Sequence, residues 1–230
     1  MKGTLYGIGV GPGDPELLTI KAIKRIQQVD IIAAPGQDVR ESVAFQIAAQ
    51  AVPEIAAKDL LPVRMPMVMD RAYLEEAHRQ GAALLIRELE KGKDVAFLTL
   101  GDPTVYSTFS YLEKIVRQAG YETCYLSGIP SFIAAASTLG VPLAEWQEPL
   151  TIIPAAHRLT EGLTQDGNLV FMKSGSRLST VKELLRESGK QVFMVENCGM
   201  PTEKRFTSLE EIPDEAGYFT LIIAKDPIER

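Results

Sequence analysis

Short apolar runs alternate with helix-spaced apolar positions along most of the chain. Residues 4–9 are strand-like and run into a glycine-rich turn. Asp14-Pro15-Glu16 then carries helix-opening chemistry, with Asp14 a good cap and Pro15 suited to the first helical position. Leu17, Leu18, Ala22, Ile23, Ile26 and Val29 follow at helical spacing, so a helix is predicted to open at Asp14. Residues 31–34 read as a buried strand stopped by Pro35-Gly36, and 42–52 and 70–90 as helices. A strand at 94–100 is broken by Gly101-Asp102-Pro103, and 104–118 reads as a returning helix. A strand at 122–126, the break Ser127-Gly128-Ile129-Pro130 and a small-residue helix at 131–139 close this half.

This strand–loop–helix rhythm predicts an α/β layered fold with a mostly parallel sheet. The second half changes rhythm. Strands are expected at 150–154, 168–172 and 191–196, a helix at 178–187, and further strands at 204–208 and 218–224. That pattern suits a smaller mixed α+β unit. The boundary is placed after Ser127, giving an N-terminal α/β domain over 1–127 and a C-terminal α+β domain over 128–230.

The 230 residues are 46% hydrophobic and 23% charged, a globular mix that argues against a disordered chain. The 24 Lys and Arg against 30 Asp and Glu leave a formal charge of −6, which disfavours a nucleic-acid partner. Two cysteines, Cys124 and Cys198, and two histidines, His78 and His157, show no paired metal-ligand spacing, so no metal site is expected. The apolar runs are too short for a membrane span and the start lacks a signal-peptide pattern. A cytoplasmic protein is expected.

Four loops could carry chemistry. In the first, glycines at 7, 9, 11 and 13 follow a strand, as if backbone had to come close to something. A dinucleotide fingerprint fails in every register: the last glycine position falls on Pro12, Asp14 or Glu16. A ligand-facing loop and a tight turn without ligand both remain. In the second, 100–108, Asp102 could be a charge partner, a ribose acceptor or a helix cap, and Tyr106 a stacking or a core residue. The third, 128–137, has side chains small enough for a flat ligand or for tight packing. In the fourth, 172–177, Lys173 and Arg177 could hold carboxylates or sit on a solvated turn. No nucleophile elbow, triad context or carboxylate pair is legible.

Taken in order, Gly9–Asp14, Gly101–Tyr106 and Gly128–Ala136 resemble the GxGPGD, GDPxxY-like and G[IV]xSxxAAxA segments of the tetrapyrrole methylase superfamily, over nearly the whole chain. Within it, residues 6–19, 98–112 and 127–143 look most like the branch that methylates C20 of precorrin-2 or its cobalt-loaded counterpart in cobalamin biosynthesis. Pro130 departs from the Ser or Thr frequent there, which removes one side-chain hydrogen bond but no backbone contact.

The resemblance implies a two-domain homodimer with S-adenosylmethionine in an interdomain cleft. Carried across, the cofactor contacts would be Leu100, Gly101, Asp102, Val105, Pro130, Ser131, Phe132, Met172 and, near the end, Thr220. Gly11, Pro12, Gly13 and Asp14 would face the tetrapyrrole, with Tyr106 beside them. Arg40, Arg64, Lys173 and Arg177 would pair with its carboxylates. The cofactor brings an activated methyl, so no strong protein nucleophile is required. No residue is assigned as the base. The alternatives are methylation at another ring position, a diphthine-type synthase acting on protein, and a silent module that binds corrinoid or cofactor. His78 and His157 could be axial ligands to a substrate metal, or ordinary helix or surface residues.

Overall fold

The computed structural model describes residues 1–66, 68, 70–154 and 166–227. Two compact units divide at Pro130/Ser131, Met1–Pro130 and Ser131–Arg230, a few residues beyond the division read from the sequence.

The first unit contains β1 (Thr4–Gly9), α1 (Ile20–Gln28), β2 (Ile31–Pro35), α2 (Val43–Ala51), β3 (Asp59–Val63), α3 (Arg71–Glu90), β4 (Val95–Thr99), α4 (Phe109–Gln118) and β5 (Glu122–Leu126). Its strands form one sheet in the order β3-β2-β4-β1-β5, with every pairing parallel. Parallel pairing requires crossovers, and these cover both faces, so the strands read as nearly continuous apolar runs. On β4, Ala96 and Leu98 join the cluster of Ile26, Phe45 and Ala48, while Val95 and Phe97 join Leu85, Leu89 and Leu112 on the opposite face. The period of two thus places a helix layer on each side.

Three details depart from the sequence pattern. Asp14 opens only a 3-10 turn, Pro15–Leu17, by accepting from Glu16 N–H. The chain is extended again at Leu18, and α1 starts at its own cap, Thr19, whose hydroxyl accepts from Ala22 N–H at 3.1 Å. Helix α4 begins at Phe109 and not at Thr104, because Asp102 and Ser107 hold the intervening residues in turns. Strand β3, unread in the sequence, is an edge strand carrying Pro62, and its pairing with β2 defines it.

The second unit contains α5 (Ser131–Leu139), β6 (Leu150–Pro154), β7 (Asn168–Met172), α6 (Leu178–Arg186), β8 (Gln191–Glu196), β9 (Lys204–Phe206) and β10 (Thr220–Lys225). The sheet order is β6-β7-β10-β8-β9. The β6–β7 pair is parallel and the other pairings antiparallel, a mixed sheet as expected. Leu178, Val181 and Leu185 of α6 pack on Phe171, Met194 and Ile222. Helix α5 lies against β10 and β8. Among the described residues no helix is long and apolar enough to cross a membrane.

Candidate cofactor and substrate loops

The carboxyl ends of β4, β1 and β5 lie side by side, so their three loops emerge at one sheet edge, the usual ligand edge of open α/β sheets. Backbone bonds join the first two loops. Val10 N–H donates to Thr99 O at 3.0 Å, Gly101 N–H to Gly11 O at 2.8 Å, and Gly11 N–H to Gly101 O at 3.3 Å. The third loop is tied in by Gly128 N–H, which donates to Asp102 Oδ2 at 3.0 Å.

The glycines answer the question their spacing raised. A Cβ on Gly128 would lie 2.2 Å from Gly101 O, and one on Gly9 would lie 2.5 Å from the same oxygen. A Cβ on Gly7 would meet the Phe109 ring at 2.1 Å, while Gly9 and Gly128 approach the backbone of a neighbouring loop. Side chains there would force the three loops apart.

Asp102 is 7% exposed, and its role is set by its partners. Besides Gly128 N–H on Oδ2, its Oδ1 accepts from Thr104 N–H at 2.8 Å and Thr104 Oγ1–H at 2.5 Å. The carboxylate is therefore the brace of the loop pair. Downstream, Ser107 Oγ pairs with Thr99 Oγ1 at 2.9 Å and accepts from Phe109 N–H, the first of α4, at 3.2 Å. Between these two anchors Tyr106 is held at φ 48°, a left-handed conformation rare for an aromatic residue, with its side chain half exposed. The core alternative for Tyr106 is thereby excluded.

Arg40 and Arg64 follow β2 and β3 and so reach the same carboxyl edge, both exposed. Gly36 N–H donates to Val63 O at 3.0 Å, tying their two loops together. Pro12 and Gly13 are buried, and Asp14 caps the 3-10 turn through Oδ1.

Pro130 ends the first unit. In the second, Ser131 and buried Phe132 form the first turn of α5. Met172 ends β7 opposite Leu221 of β10, next to Thr220. Thr220 is buried, and its hydroxyl donates to Gly217 O at 2.7 Å. Lys173 sits at φ 59°, exposed, with Nζ 5.9 Å from the Tyr218 ring centroid. Arg177 is exposed at the end of a 3-10 turn.

Two structural residues escaped the sequence reading. Thr19 had a cap signal, a threonine just before helix-spaced apolar positions. Ser107 had none, since its bond to Thr99 exists only when the loop is closed.

His78 stacks on Tyr111 with ring centroids 4.7 Å apart, and burial lowers its pKa against the opposing pull of Glu75. It is a packed residue between α3 and α4. His157 lies outside the described residues. Among the described residues no group of three or more His, Cys, Asp or Glu could hold a metal ion.

The donor set suits S-adenosylmethionine. Residues 100–106 and 127–130 contain no Lys or Arg, and Asp102 is their one charged side chain. Loops without a cation place no repelling charge beside a ligand that carries a sulfonium and an ammonium.

Comparison with known proteins agrees with this geometry. The profile described as Tetrapyrrole (Corrin/Porphyrin) Methylases matches residues 4–213. A probable cobalt-precorrin-2 C(20)-methyltransferase of Methanocaldococcus jannaschii is 35% identical, over 77% of this chain and 76% of its own. The cobalt-precorrin-2 C(20)-methyltransferase of Salmonella typhimurium is 32% identical over 97% and 96%. The precorrin-2 C(20)-methyltransferase of a Sinorhizobium species is 32% identical over 96% and 94%. Among solved structures, a cobalt precorrin-4 methyltransferase shares the fold with a TM-score of 0.74 at 20% identity, over 97% of this chain and 96% of the other. A uroporphyrin-III C-methyltransferase of Thermus thermophilus, complexed with S-adenosylhomocysteine, has a TM-score of 0.70 at 23% identity, over 97% and 98%. With the family profile spanning nearly its whole length and full-length relatives above 30% identity, the chain belongs to the tetrapyrrole (corrin/porphyrin) methylases.

Proposed function

We infer that this chain is an S-adenosylmethionine-dependent methyltransferase that methylates C20 of precorrin-2 or of its cobalt-loaded counterpart. The observation that carries the reading is the end-to-end similarity to relatives named for that reaction, 32% identical over 97% of the chain. The loop geometry supports the same chemistry: three loops at one sheet edge are tied together through backbone groups and Asp102.

When bound, S-adenosylmethionine supplies a methyl group already activated on sulfur. The chain's part is placement. Leu100, Gly101, Asp102, Val105 and Pro130 would hold the cofactor largely through backbone groups, with Asp102 keeping the loops in register. Ser131, Phe132, Met172 and Thr220 are proposed as the second unit's cofactor contacts. Gly11, Pro12, Gly13, Asp14 and Tyr106 are proposed to face the tetrapyrrole. Arg40, Arg64, Lys173 and Arg177 are proposed to pair with its carboxylates, with bidentate geometry open to the arginines. The base that takes the proton from the methylated carbon is unassigned. A homodimer in the cytoplasm belongs to the same proposal.

The test is a mass-resolved assay with S-adenosylmethionine and, in parallel, precorrin-2 and cobalt-factor II under anaerobic conditions. One added methyl, placed at C20 by NMR, is expected on one of the two. A methyl at another carbon would move the chain to a different branch of the family. Cofactor binding without product on either substrate would overturn the C20 assignment in favour of a binding module.

A further inference from the structure

The second unit contains a nearly buried carboxylate that the proposed reaction does not use. Glu196 ends β8, is 8% exposed, and stands opposite Thr220, the first residue of β10. Its Oε1 accepts from Gly217 N–H at 2.6 Å, and its Oε2 lies 3.3 Å from Nζ of the exposed Lys204. Removing a carboxylate from water is costly unless its partners compensate, and a bond to a backbone N–H is one of the strong compensations.

What Glu196 fixes is the turn 216–219. Within it Thr220 Oγ1–H donates to Gly217 O at 2.7 Å, and Asn197 N–H donates to Phe219 O at 3.0 Å. The turn in its turn fixes the loop after β7. A Cβ on Gly175 would fall 2.1 Å from Gly217 O and 2.7 Å from Ala216 O, so the two backbones touch with no space for a side chain. Ser174 N–H donates to Thr220 O at 3.3 Å, and Ser174 Oγ–H to Phe171 O at 3.1 Å. Lys173 is thereby held in its left-handed conformation at the head of this loop. Gly217 is small for the same reason: a Cβ there would meet Glu196 Oε1 at 2.9 Å.

We propose that Glu196 is a positioning residue for methyl transfer: through Gly217 it sets the backbone of 173–177, and with it Lys173, for the tetrapyrrole carboxylates. This rests on the reading that Lys173 faces the substrate. Its role in this proposal runs through Gly217 and not through a ligand contact of its own. It acts by narrowing the positions that Lys173 can take.

The experiment compares Glu196→Ala, Glu196→Gln and Lys204→Ala by two readouts, well below their unfolding temperatures. The first is amide hydrogen exchange in the free protein. Glu196→Ala should speed exchange at 216–219 and at 173–177, with the strands of the first unit unchanged. The second is steady-state methyl transfer. Glu196→Ala should raise the tetrapyrrole KM about tenfold or more, the scale of a lost charge-assisted hydrogen bond, with a smaller change in kcat. Glu196→Gln keeps an acceptor for Gly217 N–H and should recover most of the KM. Lys204→Ala should match the unaltered protein in both readouts, because the bond to Gly217 survives.

Unchanged exchange at 173–177 in Glu196→Ala would overturn the coupling. Faster exchange there with an unchanged KM would overturn the link to substrate. If Glu196→Ala does not fold, Glu196→Met, which keeps the side-chain volume but offers Gly217 N–H no oxygen, carries the same comparison. If the unaltered protein turns over neither precorrin-2 nor cobalt-factor II, the functional reading fails, while the exchange readout still decides the coupling.

Discussion

Asp102 and Gly128 are 26 positions apart, yet a 3.0 Å hydrogen bond from Gly128 N–H to Asp102 Oδ2 makes their loops one surface. With Thr104 N–H and Oγ1–H on its other oxygen, Asp102 organises the second and third loops together. Asp102→Ala should therefore weaken S-adenosylhomocysteine binding by about tenfold or more, the scale of hydrogen bonds to a charged group. Isothermal titration calorimetry checks this. An unchanged Kd in a folded Asp102→Ala protein would remove the brace from the cofactor surface.

Gly128→Ala attacks the same junction from the other side. Its Cβ would start 2.2 Å from Gly101 O, so backbone must move. A cost of about 1–3 kcal/mol is expected from overpacking, read as a lower Tm, together with loss of cofactor affinity. Gly128→Ala with the Tm and Kd of the unaltered protein would show that the loops have room to spare.

Ser107→Ala separates loop closure from ligand contact. The variant loses both the Thr99 hydroxyl pair and the acceptor for Phe109 N–H. The expected loss is about 0.5–2 kcal/mol, or a Tm lower by a few degrees. Tyr106 precedes Ser107 in this loop, so a crystal structure of the variant should show Tyr106 displaced.

The arginines are separable by ligand. Arg177→Ala should raise the tetrapyrrole KM while leaving S-adenosylhomocysteine affinity within about twofold, since a lost charge-assisted pair affects only the anionic partner. Arg40→Ala and Arg64→Ala, from the carboxyl edge of the first sheet, should behave in the same way. A KM unchanged in any one of them strikes that residue from the carboxylate contacts.

A pH dependence follows from Lys182, whose side chain is 8% exposed and whose Nζ donates to Ile212 O at 2.5 Å and to Asp214 Oδ1 at 2.8 Å. The hydrogen bond from Lys182, and then its charge, lower the Asp214 pKa below its ordinary value. A carboxyl with a depressed folded-state pKa adds stability above its unfolded value, near about 3.9, and loses that increment as pH falls through the folded value. Asp214→Asn should thus have a lower Tm than the unaltered protein at about pH 6, and the gap should close towards about pH 3. A gap of constant size across that range would assign the effect to something other than ionisation of Asp214.

Much of the architecture is local and was legible along the chain. The bounds of β5, α5, β6, β7 and β8 coincide with the apolar runs that predict them, because strand alternation and turn residues act within a few positions. The order of the glycine-rich and GDP-containing loops was equally legible, and with it the family. What needed the tertiary structure was whatever depends on distant partners. Strand β3 exists by pairing with β2, since its own proline-bearing sequence has little strand signal. Helix α4 starts late because Ser107 reaches back to Thr99. The local pattern could say that Asp102, Gly9 and Gly128 were special, but not what for. Their meaning is a set of approaches between loops far apart in sequence, and such approaches are created only when parallel strands bring those loops to one edge.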